Sequence, residues 1–78
     1  MINMIFVETE EDLLEALGMD RDKVWECVDL DDWDYAFIAD GKIKNNYWLE
    51  NILEGGSSDG KWIYIPEIDK TVGMRYHS

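Results

Sequence analysis

The acidic residues of this chain are concentrated in its first half, and this segregation strongly constrains how the chain folds. The interval 8–40 holds 13 Asp or Glu residues against Arg21 and Lys23, a net charge of −11, whereas positions 41–78 hold five acidic and five basic residues. A surface that serves only solubility spreads its charge, so we expect one negative face if the first half folds together. The alternative is that the charge merely keeps a short chain soluble.

Length and composition predict one folded domain. With 78 residues, the chain has room for a single domain, 1–78, with a small hydrophobic core. A hydrophobic content of 46%, with four Trp and four Tyr, is too high for intrinsic disorder. The opening MINMIFVETEE lacks a basic n-region and a cleavage site, so neither a signal peptide nor a membrane span is expected. Cys27 has no partner for an internal disulfide, which favours the cytoplasm.

The pattern of apolar residues and turn residues predicts an α+β fold. We expect an antiparallel sheet with two short helices, in the order β-α-β-β-α-β-β. The segment MINMIFV is rich in strand formers and predicts the first strand. Thr9, three residues before Asp12, predicts the start of the first helix, and Gly18 predicts its end.

The predicted first helix is amphipathic, with an outer side made entirely of acids. Leu13, Leu14 and Leu17 share one side at a period of 3.6 residues. The acids of the opposite side are spaced i, i+3, i+4, i+7: Glu8, Glu11, Asp12 and Glu15. Like charges at i and i+4 cost about 0.2–0.5 kcal/mol per pair, so helix stability does not account for this choice of residues.

Two strand-like segments follow, and they predict a hairpin. KVWECVDL, 23–30, and WDYAFIA, 33–39, are rich in strand formers and are joined by Asp31-Asp32. The alternative for the first segment is a second helix capped by Asp20.

In the hairpin interpretation, alternation assigns side chains to faces. Trp33, Tyr35 and Phe37 would point to one face of the sheet. Asp29 and Asp31 would share a face, about 6.6 Å apart at a rise of about 3.3 Å per residue.

The last third of the chain predicts one more helix and two closing strands. NNYWLENILEGG has a helical apolar period and a glycine stop. KWIYIPEI and TVGMRYH predict strands, the first ending near Pro66. Asp40-Gly41 predicts a turn between the first hairpin and this part of the chain.

The residue patterns that enzymes and metal sites require do not occur. His77, the one histidine, is next to the C-terminus, where a solvated role is the ordinary expectation. Asp29 and Asp31 would match the first two ligands of a calcium-binding EF-hand loop, but Asp34 stands where that loop requires glycine. The sequence therefore predicts no catalytic residues, no metal and no cofactor, and the alternative that it leaves open is a loose Ca²⁺ or Mg²⁺ site at these acids.

Acids among aromatic residues are typical of a protein interface. Trp and Tyr supply contact area there, and Asp and Glu accept hydrogen bonds from Arg and Lys. The charge would repel nucleic acid and anionic membranes, so the expected partner is a basic protein surface. The predicted partner-binding residues are Glu8, Glu11, Asp12, Glu15, Asp29, Asp31, Asp32, Trp33, Asp34 and Tyr35.

In size and charge the chain resembles the small acidic proteins that phages use to block host restriction, repair or CRISPR nucleases. The resemblance is one of composition. It implies an inhibitor that mimics DNA and occupies the basic nucleic-acid-binding site of a host enzyme. Two other hypotheses are an antidote or adaptor that masks a basic toxin or regulatory subunit without mimicking nucleic acid, and a small structural or assembly protein.

Overall fold

The computed structural model describes residues 4–43 and 60–76. The elements in this part of the chain are β1 (Met4–Val7), α1 (Glu10–Leu17), α2 (Arg21–Cys27), β2 (Trp33–Asp40), β3 (Gly60–Ile65) and β4 (Lys70–Tyr76). The strands form one antiparallel sheet in the order β1-β2-β4-β3. The predicted class, a small α+β domain with two helices on an antiparallel sheet, is confirmed.

Helix α1 begins and ends where the sequence predicts. The hydroxyl of Thr9 accepts a hydrogen bond of 3.2 Å from the backbone N–H of Asp12, which satisfies a donor that the first turn leaves unpaired. Gly18 ends the helix with φ of 66°, a conformation that favours glycine, and its N–H donates to the carbonyl of Leu14. Leu13 and Leu17 are buried.

The segment after Gly18 is a helix, so the predicted hairpin is wrong and the alternative of a second helix is correct. Val24 and Val28 are four residues apart, and both are buried. Burial of this pair against the sheet outweighs the strand propensity of the segment, since tertiary packing routinely overrides propensity. Asp20 precedes the helix as predicted, but its side chain makes no capping hydrogen bond.

Strand β2 departs from a regular ladder near its start. Trp33 pairs with Tyr76 and Tyr35 pairs with Arg75, so Asp34 is an extra residue on this strand. Trp33 consequently packs against the hydrophobic core, whereas Tyr35 and Phe37 lie on the opposite face. The prediction that all three aromatic residues share one face is wrong for Trp33, because a one-residue bulge reverses the alternation.

The two faces of the sheet differ in what they carry. Ile38, Val72 and Met74 point to the helices and pack with Leu13 and Val24 in a single core. On the opposite face the rings of the sheet contact one another, with centroid distances between 5.3 and 6.4 Å. The core therefore holds the helices, and with them their acids, in a fixed position on the sheet.

The closing strands agree with the sequence. Strand β3 ends at Ile65, immediately before Pro66, and β4 covers most of TVGMRYH. The predicted helix NNYWLENILEGG lies outside the described residues. None of the described helices is both long and apolar enough to cross a membrane.

Candidate partner-binding surface

The sheet register brings acids from two separate segments to the same end of the molecule. Val7, the last residue of β1, pairs with Ala36, so Glu8 leaves the sheet beside the start of β2. Helix α1 starts two residues later, and the turn that follows α2 leads directly into Trp33. We call this region the acidic end, and its residues are Glu8, Glu11, Asp29, Asp31, Asp32 and Asp34.

The turn of the acidic end is held in one conformation. Asp29 Oδ1 accepts a 3.0 Å hydrogen bond from the backbone N–H of Asp31, so the predicted pairing of these two residues on a strand face is wrong. This is an Asx turn, which forms because a short carboxylate can mimic a backbone acceptor. Asp32 has φ of 53°, a left-handed conformation that Asp tolerates.

A hydrogen bond between residues that are distant in sequence ties this turn to the sheet. The hydroxyl of Tyr76, at the end of β4, donates a 2.9 Å hydrogen bond to the backbone carbonyl of Asp29. Tyr76 also packs against the core. The carboxylates of the turn are therefore carried by a backbone that is fixed at both ends.

All six carboxylates of the acidic end are exposed to solvent. Glu10 accepts a 2.9 Å bond from Arg21, Glu67 lies 3.5 Å from Lys23, and Asp40 lies 2.6 Å from Lys70. None of these three acids belongs to the acidic end. Arg21 and Lys23, the two basic residues of the first half, form ion pairs with Glu10 and Glu67.

Two predicted acids, Asp12 and Glu15, follow Glu11 along α1. Glu15 is four residues beyond Glu11, about 6 Å further along the helix axis. Both side chains line a groove between α1 and β1. The predicted all-acid side of α1 therefore extends from the acidic end into this groove.

The predicted aromatic residues are less accessible than the acids. Trp33 is half-buried on the core side, and Tyr35 is half-buried on the other face, with its ring 5.5 Å from that of Phe6. Among the described residues, the exposed large apolar side chains are Ile5, Phe6 and Trp25, at 53%, 51% and 41% exposure. The sequence prediction missed Ile5 and Phe6, because nothing in the sequence shows that β1 is an edge strand.

The environment of Tyr76 makes the fold sensitive to alkali. Burial raises the pKa of its hydroxyl above the ordinary value, and the nearby carboxylate of Asp29 raises it further. The folded state therefore holds this proton more tightly than the unfolded chain. Its contribution to stability is complete below the unfolded pKa, about 10, and is lost as the pH rises through the folded pKa.

Replacing Tyr76 tests this linkage. We expect Tyr76→Phe to lower the free energy of unfolding near neutral pH by about 1 kcal/mol, the usual net value of a hydrogen bond. Above pH 10 the difference from the wild type should shrink. Urea unfolding at several pH values measures both quantities. Tyr64, whose pKa is raised by its hydrogen bond to Asp69, adds to the alkaline dependence in both proteins. A constant difference at all pH values would contradict the prediction.

Neither a protein-family model, nor a curated protein, nor a solved structure matches this chain. Within residues 4–43 and 60–76, no group of three or more His, Cys, Asp or Glu side chains lies close enough together to hold a metal ion. The candidate site therefore rests on the geometry and charge of the acidic end.

Proposed function

We propose that this protein is an inhibitor that inserts its acidic end into the basic nucleic-acid-binding site of a host enzyme, as a mimic of DNA. The observation that supports this most directly is the convergence of exposed carboxylates from α1 and from the turn before β2 on one end of a rigid sheet. Such an arrangement has a cost in self-repulsion that a purely structural surface has no reason to keep.

The chemistry of the acidic end suits a site built for phosphates. Duplex DNA presents one negative charge per about 1.7 Å of axis, and proteins bind it with Lys and Arg. Carboxylates accept the same charge-assisted hydrogen bonds, including the two-pronged bonds of Arg. A carboxylate has no scissile phosphodiester, so a nuclease that bound this surface would find nothing to cut.

Rigidity favours tight binding. The acids sit on a capped helix and on an Asx turn that is anchored by Tyr76. Binding therefore does not carry the entropic cost of ordering these segments. Because the attraction is electrostatic, the affinity should fall as the salt concentration rises.

Charge reversal at the two ends of the sheet tests the proposal. The double variant Glu11→Lys/Asp31→Lys removes one acid from each segment of the acidic end. The control Asp40→Lys/Glu67→Lys changes the net charge equally at the opposite end, where β2 ends at Asp40 and Glu67 lies in the turn between β3 and β4. We expect the first variant to bind the partner at least tenfold more weakly, equivalent to about 1.4 kcal/mol, and the control to bind nearly as well as the wild type.

The partner is first captured from a lysate, and its affinity for the variants is then measured. The immobilised wild-type protein retains partners from a host lysate, which are eluted with salt, identified, purified and titrated with both variants. A 20-base-pair duplex is then used as a competitor. A DNA mimic and the duplex should displace each other. A partner that keeps its nucleic acid while bound would overturn the proposal in favour of an adaptor. Equal losses of affinity in both variants would overturn it because the acidic end would then not be the specific contact surface.

A further inference from the structure

The outer edge of β1 is an exposed strand edge. The sheet order places β1 at one margin, so within the described residues β2 is its only strand partner. An edge strand presents unpaired N–H and C=O groups that an added strand can use. Ile5 and Phe6, in the middle of this edge, are about half exposed.

A groove runs along the same edge, between β1 and α1. Its volume is about 360 Å³, and it is lined by Ile5, Phe6, Val7, Asp12, Glu15 and Ala16. The lining is apolar on the strand side and carries two carboxylates on the helix side. Asp12 and Glu15 are three residues apart, about 4.5 Å along the helix axis, so the two acids act on one region.

The register determines which side chains an added strand would need. Ile5 pairs with Ile38 and Val7 pairs with Ala36, so this side of β1 faces the helices and the two groove acids. Phe6 pairs with Phe37 on the opposite face, where the rings lie 5.3 Å apart. Alternate residues of an added strand would therefore meet carboxylates on one side and aromatic rings on the other.

Charge decides between the possible occupants. A second copy of this chain would bring its own Asp12 and Glu15 to the shared edge, and like charges that face each other are destabilising. A peptide with Lys or Arg at alternate positions would instead be attracted. The opposite edge is less suitable for such a peptide, because β3 exposes Lys61 there.

We propose that the β1 edge binds an extended segment of a partner protein by strand addition, and that this segment alternates basic residues with aliphatic or aromatic ones. The basic side chains lie in the groove beside Asp12 and Glu15, and the apolar ones cover Phe6. This inference does not rest on the proposed function, since it concerns the strand edge of β1 and not the carboxylates of the acidic end, which the groove adjoins at Val7 and Asp12.

The test uses a synthetic peptide that alternates Lys with Val and Phe, titrated into the isotope-labelled protein. We expect amide shifts concentrated in Met4–Val7, with slower hydrogen exchange there, and little change in Gly60–Ile65. Two further peptides carry N-methyl groups on alternate amides, one on each edge. Strand addition uses one edge of the peptide, so only one of the two should bind at least tenfold more weakly.

Two protein variants test whether the groove carboxylate of Glu15 attracts the peptide. Glu15→Lys should weaken binding of the alternating peptide at least tenfold, whereas Glu26→Lys, an exposed reversal of the same size on α2, should change it little. Thermal melting verifies that both variants are folded. Equal binding of both methylated peptides, shifts centred on the acidic end, or no binding at all would overturn the inference. In the last case the acids of the groove serve to keep the edge from pairing.

Discussion

Leu13→Ala is expected to remove most of the stability of this domain. Leu13 lies on the inner side of α1 and is fully buried in the core. Truncation of a buried leucine costs about 2–5 kcal/mol, because transfer energy is lost and a cavity remains. A core in a chain of this size rarely supplies more than about 3–5 kcal/mol in total.

Leu14→Ala is the matched control, since Leu14 is the neighbouring residue of the same helix and is only partly buried. We expect its effect to be less than half of that of Leu13→Ala. Urea unfolding followed by circular dichroism measures both, and Leu13→Ala should be substantially unfolded at 37 °C even without urea. Equal effects of the two substitutions would mean that α1 does not pack in the orientation described.

The local features of α1 were fully predictable from sequence. Thr9, the leucine spacing and Gly18 act through residues that are close in sequence. Their effect on the helix therefore does not depend on where the helix lies in the fold. The closing strands were predictable for the same reason, because Pro66 ends a strand by its own geometry.

The features that failed depend on contacts distant in sequence. Val24 has a strand-forming side chain, and it becomes helical because the sheet offers a surface to a residue pair spaced by four. The bulge that turns Trp33 into the core follows from its pairing with Tyr76, which is remote in the chain. Neither the helical conformation of Val24 nor the bulge can be recognised from the local sequence.

The candidate site shows the same division. That the six carboxylates of the acidic end would be exposed was predictable from charge alone. That Glu8 and Asp34 meet at one end follows from the pairing of Val7 with Ala36, and strand pairing is a property of the folded sheet. The exposure of Ile5 and Phe6 follows from the strand order in the same way.

Gly73→Ala is expected to destabilise the protein by about 1–3 kcal/mol, the usual cost of forcing extra volume into a packed site. Gly73, in β4, pairs with Phe37 on one side and Trp62 on the other. A Cβ atom built at Gly73 would lie 2.6 Å from Cζ3 of the Trp62 ring. Carbon atoms pack at about 3.5–4.0 Å, so the ring would have to move by roughly 1 Å.

Two opposing effects decide whether Gly73→Ala raises or lowers the free energy of unfolding. Glycine in a strand interior costs roughly 0.5–1 kcal/mol relative to alanine, so without the clash the substitution would stabilise the sheet. The clash dominates because the ring of Trp62 is also stacked on Phe37, at a centroid distance of 6.4 Å. Trp62 Nε1 is buried without a hydrogen-bond partner in the described part of the chain, so stacking rather than hydrogen bonding positions the ring.

A double-mutant cycle separates the two effects. In the background Trp62→Val, where the ring is absent, Gly73→Ala should become neutral or stabilising, because only the strand preference remains. The free energies of unfolding of the wild type, both single variants and the double variant give the coupling between the two sites. If Gly73→Ala destabilises both backgrounds equally, the ring of Trp62 does not lie over Gly73, and the aromatic face of the sheet is arranged differently from the one described.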